Sequence, residues 1–203
     1  MTTPLIERFL AAARQETALS LQSLCDEIGA AESSVLLPEG EHLRFFASTN
    51  PILPRPTTPR TPIGASFSGA AFRSGQTLAV ADAAGKAQHF GAVDAATKTE
   101  THEFAAIPIV DREVLGVLTL VNRSSASGQP KPFDLNELRR AETFARELAP
   151  ALRWVARLLG AGGAQGADDA ADAELHAALA PLNPAERRIV ALLASALVEN
   201  RGR

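Results

Sequence analysis

From Pro4 to Ile28 the apolar residues Leu5, Ile6, Phe9, Leu10, Ala13, Leu21, Leu24 and Ile28 recur mostly at three- and four-residue steps, with Glu, Arg and Gln between them. That spacing lines them along one stripe and predicts an amphipathic helix of about seven turns. Pro4 suits the first turn and Gly29 is a stop signal. The pattern then changes to short strand-like runs: Ser33 to Leu37 and Leu43 to Ser48 flank Pro38-Glu39-Gly40-Glu41 and predict an antiparallel hairpin. The segment from Asn50 to Pro62 holds five prolines. Proline lacks the N–H that a helix interior or central strand requires, so this segment is expected to be an ordered loop and a candidate lid.

Between Thr61 and Arg123 the pieces are short and varied. Ser66 is a good N-cap and Gly75 a good stop, which predicts a brief helix from Ser66 to Ser74. A short apolar run, Leu78 to Ala81, ends at Asp82. A polar loop follows through His89 and Asp94. Two strand-like runs, Phe104 to Val110 and Val114 to Val121, flank Asp111-Arg112-Glu113 and predict a second hairpin. Loops of this length between regular elements usually carry function.

The last third is read as helical. Asp134 with Glu137 three residues on forms a capping-box-like start, and Leu138, Ala141, Phe144, Ala145, Leu148, Leu152, Val155 and Leu159 hold a near-heptad stripe toward Gly160. Pro150 removes a hydrogen bond inside that helix and is expected to bend it. Residues 160–172, rich in Gly, Ala and Asp, read as a flexible linker. Residues 173–203 read as a short helical tail. Its Leu182-Asn-Pro-Ala-Glu-Arg-Arg-Ile-Val stretch resembles the opening helix of LuxR-type DNA-binding domains, but no recognition helix follows before Arg203, so nucleic-acid binding is not expected.

The chain of 203 residues is long enough for one domain with appendages, and its net charge of −3 supplies no basic field for nucleic acid or anionic lipid. A lone cysteine, Cys25, excludes an intramolecular disulfide framework. No apolar run approaches the roughly 20 residues of a membrane span, and the N-terminus does not read as a signal peptide, so a cytoplasmic protein is expected. Gly64-Ala-Ser66-Phe-Ser68 lacks the last glycine of a nucleophile elbow. His42, His89, His102 and His176 lack zinc-site spacing, and no metal is expected.

The order of Gly64, Gly69, Gly75, Asp82, His89-Phe90, Val93-Asp94, Pro108, Gly116, Asn122-Arg123, Phe133 and Glu137-Leu138 resembles the GAF domain family over roughly Leu21 to Leu159. Arg123 stands where the family hallmark has Lys, Leu138 stands where it has an acid, and Lys98 stands where many members keep Gly. The resemblance implies an α+β fold with a central antiparallel sheet, N- and C-terminal helices packed on one face and a loop-lined pocket on the other. The organisation expected is an N-terminal helix at 1–30, sheet and ligand loops at 31–133, and a C-terminal helix at 134–159, followed by the linker and tail.

The resemblance also implies a pocket, with Phe67, Asp82, Phe90, Asp94, Thr97, Thr101 and Glu103 as candidate ligand contacts. Phe67 and Phe90 suit stacking on a ring, and Asp82 and Asp94 suit acceptance from ring or ribose donors. Lys98 suits an anionic group. Free methionine sulfoxide reductases resemble this family but act through loop cysteines, and phytochrome-like members attach a bilin through one. This chain has no cysteine in that region. The expected function is non-catalytic sensing of an unidentified small molecule, with no cofactor identified. The signal would pass through the terminal helices of a homodimer to a downstream signalling protein. The alternative is an interaction or dimerisation module with a vestigial pocket.

Overall fold

A computed structural model describes residues 4–123 and 131–161. The elements in order are helix α1 (Pro4–Ile28), strands β1 (Ala30–Glu39), β2 (His42–Ser48) and β3 (Thr61–Pro62), helix α2 (Phe67–Ser74), strand β4 (Leu78–Val80), helix α3 (Ala92–Thr97), strands β5 (Phe104–Asp111) and β6 (Glu113–Arg123), and helix α4 (Leu135–Ala161). The chain divides into two compact units, one of residues 17–149 and one of residues 1–16 with 150–203. The expected linker beyond residue 161 and the helical tail at 173–203 lie outside the described residues.

In the unit of residues 17–149, six antiparallel strands form one sheet in the order β3-β2-β1-β6-β5-β4. Alternation along the central strands sorts the two faces. Val35, Ile107, Leu118 and Leu120 are buried on one face, where α1 from Thr17 onward and α4 up to Ala149 lie, bringing in Leu21, Leu24, Ala141 and Ala145. On the other face Leu36, Leu43, Phe45, Ala106 and Val117 form a second cluster with Ala71 of α2 and Leu53 of the proline-rich segment. Leu53 thus pins a segment whose prolines exclude regular structure; only Thr61–Pro62 pairs, at the sheet edge, where a missing N–H is tolerated.

Local chemistry explains the shorter elements. Ser66 Oγ accepts the Gly69 N–H, and Gly75 at φ 65° donates to the Ala71 carbonyl, which together delimit α2. A Cβ on Gly69 would overlap the Ile63 backbone, and one on Gly116 would overlap the Leu36 carbonyl oxygen, so both glycines allow close approach. Register shifts between Val35 and Leu36 against β2, which passes over Phe46, give a bulge that leaves Phe45, Phe46 and Ala47 all buried.

One element departs from the sequence reading. The loop around Asp94 contains α3, six residues ended by Lys98 at φ 59°. Six residues are too few to show a helical period, and Gly91 at the N-cap makes no side-chain bond.

In the unit of residues 1–16 and 150–203, Leu10, Ala13, Leu152, Trp154, Val155 and Leu158 are buried. Helix α4 continues through Pro150, and the division between the two units falls at that residue.

Candidate functional site

Within residues 17–149, on the sheet face opposite the parts of α1 and α4 that belong to that unit, lies a cavity of about 70 Å³. Its floor is built from central strands: Glu32, Ser34 and Leu36 of β1, Thr119 and Val121 of β6, Phe45 of β2 and Phe104 of β5. Its walls are Ser66, Phe67 and Ser68 at the start of α2, and Gln88, His89, Phe90, Val93, Asp94, Thr97, Thr99 and Thr101 around α3. The Phe67 and Phe104 rings stand 5.9 Å apart between centroids at 35°.

The α3 wall is closed by one carboxylate. Asp94 Oδ2 accepts the Thr101 N–H at 2.8 Å and lies 3.0 Å from His89 Nε2, while Oδ1 accepts the Thr101 hydroxyl at 2.7 Å. Thr97 Oγ1 turns back onto the Val93 carbonyl at 3.1 Å. Beneath the wall the polar floor is mostly satisfied internally: Ser34 Oγ meets Ser48 Oγ at 2.8 Å, and Thr119 Oγ1 donates to the Ser34 carbonyl at 3.4 Å. Glu32 differs. Its Oε1 accepts Asn50 Nδ2 at 3.1 Å, and the carboxylate stays partly open at the cavity.

Phe67, Phe90, Asp94, Thr97 and Thr101 are thus brought together around one cavity. Asp82 and Glu103 are not on its lining. Asp82 is exposed at φ 54°, heading a 3₁₀ turn (Ala83–Gly85) that is bound to the loop by Ala83 N–H donating to the His102 carbonyl at 2.7 Å. Glu103 is buried beside the lining, and its Oε2 has no hydrogen-bond partner among the described residues. Lys98 is exposed and does not line the cavity. The strand residues Glu32, Ser34, Thr119 and Val121 were not singled out from the sequence. Glu32 and Ser34 share one face of β1, but Ser33 between them is also polar, so no alternation marked the pair in the sequence.

From this wall a chain of bonds runs to α4. Asn122, at φ 55°, receives the His102 N–H on Oδ1 at 2.8 Å, gives Nδ2 to the Glu100 carbonyl at 2.8 Å, and donates its own N–H to the Glu103 carbonyl at 2.8 Å. Its neighbour Arg123 pairs through Nη2 with Glu137 Oε1. Glu137 Oε2 accepts the Asp134 N–H at 2.8 Å, and Asp134 Oδ1 accepts the N–H groups of Asn136 and Glu137 at 3.0 and 3.1 Å. These bonds form a capping box. The Glu137 and Asn136 amides, with Arg123 and Lys131 nearby, hold the Asp134 carboxyl below the usual carboxylate range against a smaller opposing effect of desolvation.

Among the described residues, no group of three or more His, Cys, Asp or Glu is placed to hold a metal ion, and no helix is long and apolar enough to cross a membrane.

A family model described as GAF domain matches residues 14–152. No curated protein sequence matches the chain. Among solved structures, the chain is similar to the GAF domain of a phosphoenolpyruvate-protein phosphotransferase from Coxiella burnetii, with 22% identity over 77% of this chain and 98% of that one, TM-score 0.57. It is similar to a type II free methionine-R-sulfoxide reductase from Thermoplasma acidophilum, with 14% identity over 71% of this chain and 94% of that one, TM-score 0.56. It is also similar to the second GAF domain of DevS from Mycobacterium smegmatis, with 20% identity over 73% of this chain and 96% of that one, TM-score 0.50. At these identities the likeness is one of fold.

Proposed function

The chain belongs to the GAF domain family, a family of regulatory and sensory modules, and on that premise we propose that it is a non-catalytic sensor whose cavity binds a small molecule and whose α4 helix carries the signal. The observation supporting this reading is the continuous path of bonds from Asp94 at the cavity wall through Thr101, the 100–102 backbone, Asn122, Arg123 and Glu137 to the first turn of α4. A ligand that contacts Phe67, Phe90, Thr97 or the Asp94 wall acts on the loop that Asn122 clamps. It shifts α4 only if it binds one arrangement of that loop better than another.

The test is a thermal-shift screen of the full chain against small polar and aromatic compounds, followed by hydrogen exchange with any hit. A ligand at 100 times its dissociation constant stabilises by about 2.7 kcal/mol. Slower exchange both in residues 92–101 and in the first turns of α4 supports the sensor. Slower exchange in 92–101 alone leaves a binding module without the relay.

A second reading is an interaction or dimerisation module with a vestigial pocket. It draws support from the small cavity volume, about 70 Å³ against the roughly 300–1,000 Å³ of drug-sized sites, and from Leu19 and Leu135, which are 58% and 62% exposed. In both readings we place the protein in the cytoplasm as a homodimer that acts on a downstream signalling protein. A screen without hits, together with a dimer by light scattering, would favour the second.

A further inference from the structure

We propose that the cavity is selective for a small organic cation, with Glu32 as its counter-charge; this rests on the ligand-binding reading above. Among the described residues the ionisable groups on the lining are Glu32, His89 and Asp94, with no lysine or arginine. Both oxygens of Asp94 are already engaged by Thr101 and His89, so that carboxylate holds the wall together. Among the described residues the Glu32 side chain accepts only from Asn50 and retains acceptor capacity.

An anion entering this space meets the Glu32 carboxylate and, among the described residues, no lysine or arginine, while the His89 Nε2 is turned to Asp94. A cation meets the opposite: one open carboxylate beside four rings, Phe45, Phe67, Phe90 and Phe104. The electron-rich faces of such rings attract ammonium groups, and the apolar surroundings weaken screening of the carboxylate. A volume of about 70 Å³ fits an occupant of a few heavy atoms. A methylated ammonium combines that size with a diffuse, weakly hydrated charge that can leave water for an aromatic setting.

The experiment is calorimetry on the full chain at constant ionic strength with four probes: choline chloride, its uncharged carbon isostere dimethylbutanol, sodium acetate and inorganic phosphate. Choline is expected to bind saturably, with the isostere at least about tenfold weaker, and Glu32→Gln is expected to lose about tenfold in choline affinity with an unchanged unliganded Tm. Equal binding of choline and the isostere, preference for acetate or phosphate, or undiminished choline binding by Glu32→Gln each overturns the cation assignment while leaving a ligand-binding cavity in place. No choline binding up to about 10 mM also overturns it, and the exchange test on other ligands then decides the sensor reading separately. The comparison of choline with its isostere needs no variant, so it decides the matter even where Glu32→Gln fails to fold.

Discussion

Asp94 and Thr101 are joined twice, once through the Thr101 backbone N–H at 2.8 Å and once through its hydroxyl at 2.7 Å. The pair closes the loop that carries α3 against the start of β5. Thr101→Val keeps the backbone bond and removes the hydroxyl, and is expected to cost about 1–2 kcal/mol; Asp94→Asn weakens all three of the carboxylate's bonds and is expected to cost about 2–3 kcal/mol. Urea unfolding gives the magnitudes. Hydrogen exchange should accelerate in residues 92–101 before it does in β1 or β6, and uniform acceleration across the sheet would count against a local clasp.

Lys98 and Asn122 share the left-handed backbone conformation, at φ 59° and 55°, for different reasons. Asn122 uses its carboxamide to hold two backbone groups, whereas Lys98 is exposed where α3 ends. Lys98→Gly is therefore expected to stabilise by up to about 1 kcal/mol, by relieving Cβ strain in excess of the entropy that glycine loses. Asn122→Gly relieves the same strain but is expected to destabilise by about 1–2 kcal/mol through the lost bonds. If both variants moved stability in the same direction, the side-chain role assigned to Asn122 would fail.

Two glycines leave no space for a methyl group. Gly116→Ala forces a Cβ onto the Leu36 carbonyl oxygen across β1 and β6, and Gly69→Ala forces one onto the Ile63 backbone. Backbone cannot step aside as a flexible side chain can. Each variant is expected to lose at least about 3 kcal/mol, at the severe end for single substitutions, as read from circular dichroism melts.

Cys25 is buried in α1, and desolvation raises its thiol from 9.0 to about 11, with a hydrogen bond involving Thr49 opposing part of the rise. The unfolded thiol ionises first as pH rises, so between pH 9 and 11 the folded state binds more protons and stability falls. The full contribution is present below pH 9 and amounts to at most about 3 kcal/mol. Comparing denaturation of the wild type with Cys25→Ala across that window isolates the effect. Parallel pH curves for the two proteins would refute it.

Asp134 titrates in the opposite sense. Its carboxyl is depressed by the bonds it accepts from Glu137 and Asn136 at the start of α4. The unfolded state takes up a proton first on acidification, so the stabilisation is present above about 3.8 and is lost as pH falls through the depressed value. Asp134→Asn is expected to flatten this acid limb while retaining part of the cap. An acid limb of unaltered slope would show that the cap does not contribute to it.

The sequence was most readable where a few neighbouring residues decide the structure. Ser66 and Gly75 delimit α2, and Asp134 with Glu137 opens α4, because these caps operate within four residues of chain. The walls of the site were accessible for the same reason: Phe67, Phe90, Asp94, Thr97 and Thr101 lie on the two local segments that flank the cavity. Its floor was not. Glu32 and Val121 are neighbours only because β1 pairs with the sequence-distant β6, and that pairing has no local signature. Asp82 and Glu103 lie close to lining residues in the chain, yet exposure takes one side chain, and burial off the lining the other, away from the cavity.

The division of the chain at Pro150 also distributes its optical and chemical probes. The only tryptophan, Trp154, lies in the unit of residues 1–16 and 150–203, and the only cysteine, Cys25, lies in the unit of residues 17–149; there is no tyrosine. Intrinsic fluorescence is therefore a signal from one unit, and thiol labelling a signal from the other. A single unmodified sample carries both reporters, so any mismatch between the two unfolding curves measures directly how far the halves melt as one.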